Sequence, residues 1–348
     1  MKSHSILILA IRDYLKTVTL SEAKGLAGPN KRFFTALGMT FCILMVLWID
    51  SAADAKYSGG TGEPNDPYQI ATAADLNDIG NHQEDCDKHF ILINDVNLAE
   101  YTGTQFNIIG KEWKSAFTGV FDGNNHKILN FTWSSQDIHA IGLFIYLREA
   151  GEIKNLGMEN VDVNAATGTC VGGLVGANYG MITNCYSTGR VAGRYHVGGL
   201  VGANWSSDRA RITNCYSTGS VSGWYNVGGL VGDNVSTITN CYSSGSITEV
   251  LWGVGGLVGN NDFGSITHCY STGSVTGGVL LGGLVGVLKG GQVVASFWDT
   301  QTSGQPTSAG GTPKTTAEMK TKSTFTDAGW DFVNIWDICE GTNYPRLR

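Results

Sequence analysis

Gly172-Gly173-Leu174-Val175-Gly176, followed by Ile182-Thr183-Asn184-Cys185-Tyr186-Ser187, is the stretch that decides the fold. The pentapeptide recurs at Gly198, Gly228, Gly255 and Gly282, at intervals of 26, 30, 27 and 27 residues. The hexapeptide recurs at Ile212, Ile238 and Ile266, with His268 in place of Asn in the last copy. A third element follows each time: Gly189-Arg190-Val191, Gly219-Ser220-Val221, Gly245-Ser246-Ile247 and Gly273-Ser274-Val275. Each repeat thus holds three short β-prone segments parted by Gly, Asn or Ser. None is long enough for a crossover helix, so successive repeats can bury their apolar faces only by stacking. Parallel crossovers favour one hand. The expected class is all-β, a right-handed three-sided parallel β-helix (a solenoid) with short capping segments. A β-propeller blade needs about 40 residues, too many for this period.

The pattern reaches upstream in weaker form, through Ile141-Gly142-Leu143-Phe144 and Ile153-Lys154-Asn155-Leu156. The division expected is a leader and signal peptide over 1–55, a β-helix with an N-terminal cap over 56–300, regular over 141–300, and a C-terminal cap over 301–348. Residues 90–300 would make about eight coils, a rod on the order of 40 Å long. Residues 70–83 have helical spacing and suit a cover for the first coil, and aromatics between Phe325 and Leu347 suit the other end.

Glycine supplies 48 of the 348 residues and proline only 6, with no Gly-X-Y period, so collagen is excluded. Of 30 acidic and 23 basic side chains, 4 and 6 lie in residues 1–55, leaving a net charge of −9 on the remainder. That balance excludes the electrostatic footprint of a nucleic-acid binder. Lys31 and Arg32 precede an apolar run from Phe33 to Ile49, and Ala53-Asp54-Ala55 gives an Ala-x-Ala ending. Together these describe a secretory signal cleaved after Ala55. The alternative is a single anchor at the lower limit of spanning length, and a membrane contact is expected only through this segment if uncleaved. Met39-Thr40-Phe41 before Cys42 is no lipobox.

Equivalent residues of stacked repeats should form files. Gly173, Gly199, Gly229, Gly256 and Gly283 should permit positive φ at a corner and close backbone approach. Leu174, Leu200, Leu230, Leu257 and Leu284 should point inward, and the valines beside them outward or into a bend. Cys185, Cys215, Cys241 and Cys269 continue a file that begins with Leu156 and ends with Ser296. Small buried hydrophobes, disulfides between adjacent coils and a metal site are the three readings of that file. Leu156 favours the first, and no metal or cofactor is expected. Asn178, Asn204, Asn234 and Asn261 suit an amide ladder, and Tyr186, Tyr216, Tyr242 and Tyr270, continued by Phe297, an aromatic one.

The repeated Gly-Gly-Leu-Val-Gly followed by Asn-Cys-Tyr-Ser resembles the GLUG motif, a repeat of large bacterial surface proteins that also occurs in immunoglobulin A metallopeptidases. Ser296-Phe297-Trp298-Asp299-Thr300 through Met319 to Trp336 and Tyr344-Pro345 is similar to the stretch that closes such regions. The resemblance covers roughly residues 56–348. It implies a secreted or cell-envelope setting and adhesion, and supplies no catalytic residues.

The sequence carries no obvious chemistry. No histidine begins His-Glu-x-x-His, and neither a Gly-x-Ser-x-Gly elbow nor a Gly-Lys-Ser/Thr phosphate loop occurs. No catalytic residue is therefore assigned. The enzymatic rival is a polysaccharide lyase or hydrolase, which needs converging carboxylates. In the regular coils the acids are Asp208, Asp233, Glu249 and Asp262, placed in turns at differing offsets and best read as solvated. Tyr195, Tyr225 and Trp252 each stand two residues before the Val that leads into the pentapeptide, beside Arg194 and Trp224. Stacking would gather them into a stripe that either covers a corner or holds sugar rings. The expected function is non-catalytic: adhesion, carbohydrate binding or a structural spacer, with a polysaccharide or a host or cell-surface ligand as partner.

Overall fold

The repeats wind into parallel ladders in which like residues lie over like. The computed structural model describes residues 56–136, 140–206 and 208–348; the leader and signal peptide expected over 1–55 lie outside them. Residues 56–348 form one compact unit. Three parallel sheets run along it. One holds nine strands, from Tyr68–Ile70 to Gln292–Val294. A second holds six, from Phe144–Leu147 to Val285–Lys289. The third is the largest, with 17. Ile182, Ile212, Ile238 and Ile266 are paired in register on the first sheet, and Val175, Val201, Val231 and Val258 on the second. This is the three-sided parallel β-helix, and its first strand starts at Tyr68, earlier than the expected Phe90.

One coil shows how sequence becomes shape. Val175–Asn178 lies on the second sheet and Met181–Thr183 on the first. Tyr186–Ala192 and Tyr195–Gly198 both belong to the third, bent at Gly193. The repeat therefore has four strands where its sequence suggests three. The corner after the first sheet is made by Asn155, Asn184, Asn214, Asn240 and His268, all with positive φ, a conformation that Asn adopts more readily than most side chains.

The repeat glycines do something narrower than expected. Gly173, Gly199, Gly229, Gly256 and Gly283 do not have positive φ; they are needed for room. A Cβ on Gly229 would lie 2.0 Å from Ser243 Oγ and 2.3 Å from Gly256 O. The valines also depart from expectation. Val175, Val201, Val231, Val258 and Val285 are as fully buried as the five leucines beside them. Gly173 and Leu174 form the bend, so consecutive side chains on its two sides can both face the interior.

The cysteine file is interior, and its thiols are free. Each Cys follows a left-handed corner that lifts its own N–H out of the ladder. Cys185 N–H donates to Cys215 Sγ, Cys215 N–H to Cys241 Sγ and Cys241 N–H to Cys269 Sγ, each at 3.4 Å. Cys269 N–H donates to Ser296 Oγ at 3.0 Å. The next coil's side chain thus satisfies a buried donor that would otherwise be costly. Asn178, Asn204, Asn234 and Asn261 form a buried amide ladder with bonds of 2.8, 2.7 and 2.6 Å. Leu147 and Leu288 take its place at either end.

At the N-terminal end the helix Ala73–Ile79 buries Leu76 and Ile79 and starts on a capping box between Thr72 and Asp75. The other end differs from the expected arrangement. The segment after Phe297–Asp299 closes it: Ala309 N–H bonds Val285 O, and Thr312–Lys314 pairs with Phe297–Asp299. The aromatics beyond Phe325 do not sit on the end. Phe325, Trp330 and Trp336 pack on the outside of the tyrosine ladder, against Tyr242, Tyr270 and Phe297. Tyr270 donates to Pro345 O, and Trp330 Nε1 to Ala295 O at 2.9 Å. Rings that must cover apolar area gain more on an aromatic ladder than on a strand edge whose polar groups are already paired.

Candidate ligand-binding ridge

The strand before each pentapeptide carries the aromatic stripe. Tyr195, Tyr225, Trp252 and Val279 are paired in register on successive coils. Tyr195 and Tyr225 stack at 5.0 Å with an interplanar angle of 10°. That geometry limits what they can do. Each ring spends a face on its neighbour, so the pair offers mainly edges to solvent and no broad platform for a sugar. Trp252 is half-buried beside them.

One residue earlier, Arg194, Trp224 and Leu251 form the outer rim: Arg194 O accepts from Trp224 N–H, and Trp224 O from Leu251 N–H. Trp224 is 46% exposed and Leu251 52%. The Arg194 guanidinium lies 5.2 Å from the Tyr195 ring centre and 4.8 Å from that of Trp224, within the reach of cation–π attraction. Arg194 Nε is buried with no hydrogen-bond partner. Beside Trp224 lies a hollow of about 190 Å³, lined by Asn164, Arg190, Ala192, Ser222 and Gly223. Of the five stripe residues named from sequence, only Trp224 lines the hollow; Arg194 meets the rings of Tyr195 and Trp224, Tyr225 stacks on Tyr195, and Trp252 stands one coil further on. Arg190 and Asn164 carry no mark in the sequence, because it is a bend in the third sheet that brings them to the hollow.

Among the described residues of the regular coils the acids do not converge. Asp233 is not in a turn and not solvated: it lies in the strand Val231–Asn234, buried. It accepts from Trp205 Nε1 and, at 2.6 Å, from Asn260 Nδ2, with His196 Nδ1 3.8 Å away. Its register partner one coil on is Asn260, while Asp262 pairs with Lys289, so Asp233 and Asp262 are out of line. Burial lowers the pKa of His196, and the Asp233 carboxylate opposes the shift. Burial also pushes the nearby Cys170 thiol up to about 12. His196, Trp205 and Asn226, which bonds His196 at 3.3 Å, are polar partners that no periodicity announces.

His82, Glu84 and Asp85 bring three ligand atoms within 4.8 Å of one another. The Lys56 ammonium already stands there, 2.6 Å from Asp85 and 3.3 Å from Glu84. The charge a metal would supply is thus provided by the chain itself.

Residues 167–192, 193–222, 225–248 and 251–276 each match the GLUG motif. A protein of Evansella cellulosilytica, named as a Gly-rich membrane protein, is 30% identical over 90% of this chain and 49% of its own length. Halomucin of Haloquadratum walsbyi is 32% identical over 42% of this chain and 2% of its own. The chain therefore spans about half of the first relative and a small part of the second. A solved structure from Bacteroides ovatus, named as an immunoglobulin A1 protease, matches with a TM-score of 0.54 at 22% identity, covering 84% of this chain and 95% of that one. That likeness establishes the fold alone.

Proposed function

We propose that this chain, a GLUG-motif repeat protein, is a non-catalytic module of the bacterial cell surface or its secreted material, a rod that presents a glycan-binding ridge. The unbroken stacking of files along the rod carries this reading: the coils invest their side chains in holding one another. Asp233, the acid best placed for chemistry, has both carboxylate oxygens engaged by Trp205 and Asn260, whereas a glycosidase needs two carboxyls about 5–10 Å apart across a bond. The names of the relatives, a membrane protein and a halomucin, support an envelope setting, as does the expected signal segment. Incubating the purified chain with a panel of bacterial and host polysaccharides tests it. Retention on at least one of them, without new reducing or unsaturated ends, is the expected result. Release of such ends would replace this reading with a carbohydrate-active enzyme.

A further inference from the structure

We infer that the hollow beside Trp224 takes an anionic sugar unit of a polysaccharide, with Trp224 against the ring and the guanidinium group of Arg190 toward its acid group. This rests on the binding half of the function proposed above and names its ligand class. Charge is the first support. The chain beyond residue 55 carries a net −9, yet Arg190 lines the hollow with no carboxylate within 4 Å of it among the described residues. Asp162 pairs with Arg190 in the ladder, but their side chains form no ion pair. An exposed Arg190 without a partner, in an acidic protein, marks a local place for a negative group.

Geometry is the second support. Arg194 is held between Tyr195 and Trp224, and its buried Nε has no acceptor. That stack fixes the Trp224 ring at the edge of the hollow. Asn164 and Ser222 add an amide and a hydroxyl at the wall, and Ala192 and Gly223 give an apolar floor. Trp224 has its exposed side free, unlike the stacked Tyr195 and Tyr225. At about 190 Å³ the hollow is smaller than the 300 Å³ or so at which drug-sized pockets begin. It fits one ring of a longer chain, the neighbouring units lying along the rim past Leu251.

Tryptophan fluorescence titrations with oligogalacturonate, dextran sulfate and neutral dextran test the assignment. Binding of an anionic saccharide should weaken at least about tenfold in Arg190→Gln and in Trp224→Ala, and fall with added salt, while Arg211→Gln, exposed on another sheet, keeps full affinity. Binding of oligogalacturonate alone assigns carboxylate, and of dextran sulfate alone assigns sulfate. If neutral dextran binds as well as the acids, or Arg190→Gln changes nothing, this inference is overturned and the glycan-binding rod stands. If no saccharide of either panel binds, the ridge has no glycan role and both fall.

Discussion

A cysteine in this protein acts as a hydrogen-bond acceptor for the coil before it. That role explains why Ser296 can end the file and why Leu156 can begin it: Leu156 has no preceding Cys N–H to serve. Cys215→Ser should therefore cost little, about 1 kcal/mol or less, because the hydroxyl can replace the sulfur. Cys215→Ala leaves the Cys185 N–H without its acceptor at 3.4 Å and opens a small void, costing about 2–3 kcal/mol. Denaturant titrations of both variants check the ranking; equal losses would show that only volume matters. His196 offers a second test. Its folded pKa lies below its unfolded value of about 6.5, so the unfolded chain binds the extra proton. Stability from this group is complete above about pH 6.5 and declines as pH falls toward the folded pKa. Thermal melts between pH 7.5 and 5 should show that decline, and His196→Asn, the residue found at 226, should flatten it. The files of Leu, Cys, Asn and Tyr were legible because stacking makes neighbours of residues one repeat apart. The cluster of His196, Trp205 and Asp233 was not, since Asp233 meets Trp205 and His196 from an unlike position of another coil.

At the scale of strands, the pentapeptide is a device for bringing two sheets close. Gly202 would place a Cβ 2.4 Å from Val171 N, and Gly229 one 2.0 Å from Ser243 Oγ. Gly229→Ala should cost about 1–3 kcal/mol through overpacking, read as a lower midpoint in urea. Gly304→Ala has open space around it, so its cost comes only from a φ of 68°. The repeat's length and its β-prone segments revealed the solenoid but not how many strands a coil contains. The bend at Gly193 divides one side in two, and nothing in composition separates that bend from an ordinary turn. The inward valines depart from the expected pattern for a related reason: strict alternation fails wherever a strand begins on a corner.

At the scale of the whole molecule, residues 315–348 form a strap that covers the tyrosine ladder at Tyr242 and Tyr270 and at the Phe297 that continues it. Aromatic content between Phe325 and Leu347 was visible in the sequence; its docking on a side was not, because a side that continues regularly gives no mark of where it is covered. Removing residues 315–348 should expose that apolar surface, raise binding of a hydrophobic dye and lower the melting temperature by several degrees, while the far-ultraviolet β signal persists. Loss of that signal would mean the strap is needed for the coils themselves.

Because each coil recognises only the coils above and below it, length is a separable property. In-frame duplication of a unit such as residues 201–230 would insert a section whose two faces already fit its neighbours, adding about 4.8 Å of reach without redesign at either tip. Descendants of one gene could in this way differ in stature while sharing the ladder contacts, and selection could adjust the reach of the rod by counting units rather than by inventing side chains.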